Sequence, residues 1–298
     1  MKKTIFYRLS DKTYCGVFIL PALAVLVLMV AYPFISLLYY STLNFSILRP
    51  MQETQHIGLQ NYTELLTSPD LWDRFIFTGK FVVMTVGIQM LVGTAIAYFL
   101  QRDFRGRDIL FTIFMLPMML CPIVVGFLWR YIFNSEWGMA NYLLKQIGGE
   151  KMDWLGRSEN AIWAVVIADA WMWTPFVILL ATAAFRSIPN DINEAADIDG
   201  ASPALRFFQI TLPLSAPILL IALLLRLIDA FKQNDLFFAM TGGGPGSETA
   251  TVSFMLGKLA FGHFYTGEAS ALAVILLLII TGLSMIFVRY LLGISQKG

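Results

Sequence analysis

Arg186-Ser-Ile-Pro-Asn-Asp-Ile-Asn-Glu-Ala-Ala-Asp-Ile-Asp-Gly-Ala-Ser-Pro-Ala-Leu-Arg-Phe-Phe-Gln-Ile-Thr-Leu-Pro213 is a polar segment set between two long apolar runs. It reads as two short helices with a bend. Asn190 can cap the first helix, and Asp191 and Glu194 favour its positive N-terminal end. Gly200 suits a helix stop that requires positive φ. Ser202 then caps a second helix with Pro203 at its first position, and Pro213 stands where the next apolar run begins. Ile192, Ala195 and Ala196 make one apolar face; Leu205, Phe208 and Leu212 make another. The plainest reading is an interfacial helix under lipid headgroups. Yet Asp191, Glu194, Asp197 and Asp199 follow one another with no base among them before Arg206. An anionic membrane surface repels that run, so a protein partner is the better docking surface.

Outward from this loop the chain is apolar. Its 298 residues are 57% hydrophobic and 14% charged, with a mean hydropathy of +0.68. Soluble domains carry about 25% charged residues, so one water-facing domain is excluded. A spanning helix needs about 20 mostly apolar residues. Six stretches qualify, near 14–40, 75–100, 109–133, 161–185, 214–231 and 271–292. The expectation is an all-α polytopic membrane protein, one transmembrane domain over 1–298, with the loop at 186–213 between its fourth and fifth helices.

Lys2, Lys3, Arg8 and Lys12 precede the first stretch, which could be a signal peptide. Its apolar run is about twice the usual h-region, so a retained helix is favoured. Those bases, with Arg102, Arg105 and Arg107 after the second stretch and Lys297 after the sixth, place both termini and the loop on the cytoplasmic side. Trp129, Tyr131, Trp163 and Tyr290 fall near span ends and read as interfacial belts. The connections at 42–74, 134–160 and 232–270 read as extended polar regions.

Chemistry of other kinds finds no support. The net charge is +1, which argues against nucleic acid. His56 and His263 are isolated, Cys15 and Cys121 sit in apolar runs, and no metal-ligand or disulfide spacing occurs. Gly79-Lys80 and Gly257-Lys258 lack the flanking residues of a phosphate-cradling loop, and no HExxH or GxSxG is present. The chain is expected not to be an enzyme. Uphill transport would then draw on another subunit or on an ion gradient.

Glu194-Ala195-Ala196, Asp199-Gly200-Ala201 and Ile210-Thr-Leu-Pro213 resemble the EAA loop of ABC importer permeases, in the carbohydrate form related to maltose-transporter permeases. Phe104-Arg-Gly-Arg107, Leu116-Pro117, Trp129-Arg130, Gly138-Met-Ala-Asn141, Trp171 with Pro175-Phe176, and Thr241-Gly-Gly-Gly-Pro245 extend the resemblance along the chain. It implies a type I ABC importer permease fold in a bacterial inner membrane. The function implied is half of the translocation pathway, worked by alternating access, of a binding-protein-dependent sugar importer. Glu194, Ala195, Ala196, Asp197, Asp199 and Gly200 would form the coupling helix seated on an ATPase. The implied partners are a second homologous permease, two ATPase copies and a periplasmic or extracytoplasmic solute-binding protein. No cofactor is implied on this chain; ATP and Mg belong to the ATPases.

Ionisable groups inside a span are functional candidates. Asp169 lies roughly 12 Å into the fourth helix, with Trp173 one turn on along the same face. Carboxylate and indole together suit a sugar, which needs hydrogen-bond partners and a stacking surface. Arg226, Asp229 and Gln233 form a second stripe on the fifth helix. These five are the expected substrate residues. Arg226 and Asp229 could instead form an intrahelical ion pair, or Arg226 could hold an anionic group on the sugar. The alternatives to a sugar importer are an ion-coupled secondary transporter and an ABC permease for another solute.

Overall fold

The computed structural model describes residues 11–49 and 53–295. Lys2, Lys3, Arg8 and Lys297 lie outside the described residues. In chain order come α1 (Asp11–Tyr40), α2 (Gln60–Thr67), α3 (Pro69–Phe99), α4 (Arg107–Met115), α5 (Pro122–Ile132) and α6 (Met139–Gln146). There follow α7 (Ser158–Arg186), α8 (Asn190–Ile198), α9 (Pro203–Arg206), α10 (Leu212–Phe231), α11 (Asp235–Met240), α12 (Val252–Gly257) and α13 (Thr266–Ser295). Among the described residues the only β feature is an isolated antiparallel bridge between Leu43 and His56.

Among the described residues, five helical stretches are long and apolar enough to cross a bilayer: Phe18–Tyr40, Pro69–Phe99, Ser158–Arg186, Pro203–Phe231 and Thr266–Arg289. The sixth stretch, expected as one helix near 109–133, is instead a broken pair. Arg107–Met119 and Pro122–Ile132 meet at 99°. Pro117 and Pro122 lack the N–H that would carry a helical ladder through this region. Leu120 and Cys121 between them are extended, with ψ of 149° and 134°, the backbone that a following proline favours.

The described residues up to Thr67, with Leu259–Ile275, form one compact unit; Ser68–Lys258, with the described part of Leu276–Gly298, forms a second. In the first, the segment after α1 folds back on itself: Asn44 N–H donates to the Gln55 carbonyl and Ile57 N–H to that of Thr42. The Asn61 amide nitrogen donates to the carbonyls of Ser41 and Leu43 at 2.9 and 3.0 Å. Gly267, at the start of α13, donates its N–H to the Phe45 carbonyl. The apolar side chains of α1 are exposed along the span, a surface that only lipid or another chain can cover.

In the second unit α3 and α7 form the central pair. Apolar helix faces gain little by meeting in lipid, so close packing at small residues carries the association. Gly93 lies so near α7 that a Cβ there would stand 2.7 Å from the Val177 Cβ. Phe81, Val82 and Val86 of α3 pack with Val165, Val166 and Met172 of α7 and with Leu236, Phe237 and Met240 of α11. A second cluster, near the Arg186 end of α7, joins Ala97, Leu100, Ile178, Phe185 and Leu219.

One expectation changes here. The connection at 232–270 is not simply polar, because Leu236 and Phe237 of α11 are fully buried. This apolar run is too short to span, so it packs against the unit's own helices. It is then turned away by Gly242 and Gly243, whose φ values of +59° and +82° exclude most other residues. Trp129, expected near a span end, packs against Phe133 and Trp171, at ring separations of 5.1 and 5.8 Å. Tyr131 and Trp163 are exposed; the side chain of Tyr290 lies outside the described residues.

The Gly93 contact yields a direct check. Gly93→Val should lower the stability of the purified protein by about 1–3 kcal/mol, the usual cost of overpacking, read as a drop in melting temperature in detergent. Gly79→Ala on the same helix, where a Cβ meets nothing within 4 Å, should not lower the melt and should raise it slightly, as alanine favours a helix interior over glycine. Equal melts for the two variants would contradict the packing described.

Candidate functional site

The polar loop and a buried cluster between the helices that flank it are the two places where chemistry concentrates. In the loop, α8 begins at Asn190 itself; Pro189 precedes it and no side chain caps it. Asn190 is thus the first helical residue rather than the expected cap. The C-terminal end follows its sequence closely. Gly200 takes φ +66°, its N–H donates to the Asp197 carbonyl, and Ala201 N–H donates to the Ala196 carbonyl. This Schellman closure satisfies the last carbonyls of α8 and reverses the chain. The Ser202 hydroxyl then accepts from Leu205 N–H at 3.3 Å to start α9, and Arg206 pairs with Asp197 across the bend.

Beyond α9 the chain does not break. A wide π-type turn at Phe207–Thr211 leads straight into α10, so Pro203–Phe231 is one stretch of 29 residues. Pro213 therefore sits inside a continuous helix, not at its start. With no N–H to offer the Gln209 carbonyl, it is accommodated by the widened turn before it. Glu194, Ala195, Asp197, Asp199 and Gly200 are exposed and Ala196 is buried. Of the expected apolar face, Ala196 is buried, Ile192 half-buried and Ala195 exposed. Ile198, which sequence reasoning passed over, is 86% exposed among the acids. Asp197 and Asp199 flank it and are exposed as well.

The five expected substrate residues converge, and α3 joins them. The Asp169 carboxylate on α7 accepts from the Thr85 hydroxyl at 2.6 Å, the Gln89 amide at 2.8 Å, Arg226 Nη2 at 3.1 Å and the Gln233 amide at 3.2 Å. Arg226 also donates through Nε to Gln89 at 2.9 Å and through Nη1 to Asp229 at 2.6 Å. Its guanidinium lies 4.6 Å from the centre of the Trp173 ring, a cation–π contact. Asp169 and Arg226 side chains are 0% and 2% exposed, whereas Asp229 is 45% exposed.

Charges this deep persist only when paired and hydrogen-bonded, and here two carboxylates share one guanidinium. The intrahelical pair between Arg226 and Asp229 exists, and Arg226 also reaches two further helices. Each of its three nitrogens already has a partner, so in this conformation the arginine is committed to carboxylates and Gln89 rather than held ready for an anion. Asp229 and Trp173 form the accessible edge; the Trp173 indole N–H is buried without a partner. Thr85 and Gln89 escaped sequence reasoning because the search started from ionisable groups on the two helices that flank the loop, and α3 carries none beside them. Their i,i+4 spacing in an apolar helix was the available signal. Among the described residues no group of His, Cys, Asp or Glu could hold a metal ion.

The cluster predicts a ranking. Arg226→Gln strips Asp169 of its countercharge and should be the most damaging, by about 3–5 kcal/mol. Asp169→Asn should cost less, because Arg226 keeps Asp229, and Asp229→Asn least. Asp169→Asn added to Arg226→Gln should restore part of the lost stability. Thermal melts of the four variants give the order; a double variant as unstable as Arg226→Gln alone would contradict the pairing.

Comparison with known proteins agrees with this architecture. The family described as binding-protein-dependent transport system inner membrane component matches residues 89–294, which include the loop and every cluster residue except Thr85. The chain is 35% identical to the trehalose/maltose transport system permease protein MalF of Thermococcus litoralis, over 80% of each chain. It is 29% identical to the sulfoquinovosyl glycerol transport system permease protein SmoG of Agrobacterium fabrum, over 96% of this chain and 92% of that one. In fold it is similar to a chain of the bacterial alginate ABC transporter, solved with an alginate pentasaccharide-bound periplasmic protein, at a TM-score of 0.79, 20% identity and coverage of 95% and 94%. With its apolar spans, its polar loop and this match, the chain is a multi-pass membrane protein that belongs to the inner membrane component family of binding-protein-dependent transport systems.

Proposed function

We propose that this chain is one permease subunit of an ATP-driven importer of a sugar or sugar derivative, with α8 as its coupling helix. The single observation that carries the reading is the exposed face of α8. It offers Glu194, Asp199 and the protruding Ile198 on a helix whose two ends lead directly into spans. An acidic ring around an apolar knob fits a basic-rimmed cleft on a soluble subunit. The sugar assignment is supported by the names of relatives, which include maltose, starch-product and sulfoquinovosyl glycerol systems.

In this reading ATP and Mg are bound by two copies of a separate ATPase, and the loop with both termini faces them in the cytoplasm. A second permease completes the pathway, and an extracytoplasmic binding protein delivers the solute. Glu194 pairs with a base on the ATPase, and Gly200 gives the bend that lets α8 lie across the ends of α7 and α10. Closure of the ATPases then moves both spans together. The solute meets Asp229 and Trp173 first. Asp169, Arg226 and Gln233 are reached only if the cluster rearranges.

The test is ATP hydrolysis by the reconstituted complex. Wild type should be stimulated several-fold by one sugar-loaded binding protein, and Glu194→Lys or Ile198→Asp should abolish that stimulation. Solute uptake by this chain with no ATPase bound, unaffected at Glu194 and collapsed by a proton uncoupler, would establish a gradient-driven carrier instead.

A further inference from the structure

Two adjoining cavities at the base of the loop have opposite chemistry. The first, about 630 Å³, is lined by Arg102 beyond α3, Arg186 at the end of α7 and Arg206 at the end of α9, with Asn190 and Asn193. Asp197 is the one carboxylate among its lining residues, and Arg206 already neutralises it. Among the described residues Arg102 and Arg186 have no ion-pair partner, and the Arg206 Nε is buried with no hydrogen-bond partner. The cavity is left with an excess of two positive charges. Guanidinium groups gathered in this way fit the oxygens of a phosphate.

The second cavity, about 790 Å³, is a groove between α3 and α10 lined by side chains such as Leu91, Phe208, Leu212 and Leu220. Along α3 it runs from Met90 to Tyr98, about 12 Å at the helical rise. Tyr98 and Pro203 line both cavities, and the Tyr98 hydroxyl donates to the Pro203 carbonyl at 2.9 Å. One pillar therefore separates a cationic recess from an apolar channel on the surface of two spans. A free phosphate or an acidic protein side chain would use only the recess. A molecule with an anionic head and an acyl tail uses both.

We propose that this pair of cavities is a binding site for an anionic phospholipid, its phosphate held by Arg102, Arg186 and Arg206 and one acyl chain laid between α3 and α10. Basic pockets between spans at a membrane surface are suited to such headgroups. The bound lipid would brace the roots of α7, α8 and α9 from below. The inference goes beyond the transport reading and does not depend on the solute carried.

The full complex, delipidated in neutral detergent, can be titrated with phosphatidylglycerol, phosphatidylcholine or glycerol phosphate and followed by native mass spectrometry without sugar or binding protein. Wild type should retain phosphatidylglycerol roughly tenfold better than phosphatidylcholine, and Arg102→Gln with Arg186→Gln should remove that preference. Leu91→Trp, which fills the groove without touching charge, should reduce retention of phosphatidylglycerol several-fold and decides the matter alone if the double variant fails to assemble. Unchanged retention in these variants overturns the proposal. So does displacement by equimolar glycerol phosphate, which would mark a free-phosphate site. Loss of the ATPases from the double variant with lipid retention intact would make the recess part of their docking surface, and also overturns it.

Discussion

The arrangement depends on one buried carboxylate. Asp169 has no exposed surface, yet it lies 3.1 Å from the Arg226 guanidinium and takes hydrogen bonds from two residues of α3. Removing a charge from water costs several kcal/mol before any partner is found. The three helices cannot separate there without exposing a carboxylate, a guanidinium and Gln89 to an apolar environment together. Apolar packing in lipid gives weak orientation, because a leucine face is as content with acyl chains as with another helix. The polar cluster supplies the missing specificity: it fixes which faces of α3, α7 and α10 meet, and at what height.

Under the proposed coupling role, that constraint gives the loop its mechanical meaning. α7 runs without interruption into the loop, and Pro203–Phe231 runs without interruption out of it. Gly200 and the pair between Asp197 and Arg206 close the bend between them. A force on the exposed face of α8 therefore reaches two spans that are already tied to each other by Arg226. The exposed carboxylate of Asp229 lies at the edge of the same cluster, so movement of the two spans changes its surroundings through one set of hydrogen bonds; in the proposed transport reading these are the surroundings the solute meets first.

Much of this was legible in the sequence. The loop announced itself because glycine, serine and proline stand where a helix stop, a cap and a first turn need them. The long apolar runs announced the spans. Asp169, Arg226 and Asp229 were found because charge inside a span is costly and so rarely accidental, and Trp173 and Gln233 because they follow those charges at helical spacing; Gln233 in fact lies just past the end of α10 at Phe231, not on the helix as expected. What stayed hidden was set by tertiary context. Thr85 and Gln89 are uncharged, and their burial beside Asp169 cannot be read from α3 alone. The break at Pro117 and Pro122 hid inside a continuous apolar run, because hydropathy is blind to a missing N–H. The continuity of α9 with α10 was obscured for the converse reason. Pro213 reads as a helix start, while the widened turn at Phe207–Thr211 lets the helix pass through it. Leu236 and Phe237 were too few to register as a span and were taken for loop.

The most direct measurement is the distance between spin labels at Trp163→Cys on α7 and Ile221→Cys on α10, in the complete complex with Cys15 and Cys121 replaced. The account predicts one narrow distance distribution, unchanged between the resting complex and the ATP-trapped complex, because the two helices move as a single body around the Asp169–Arg226 pair. A distance that shifts between those states would show the helices sliding past each other, and would contradict it.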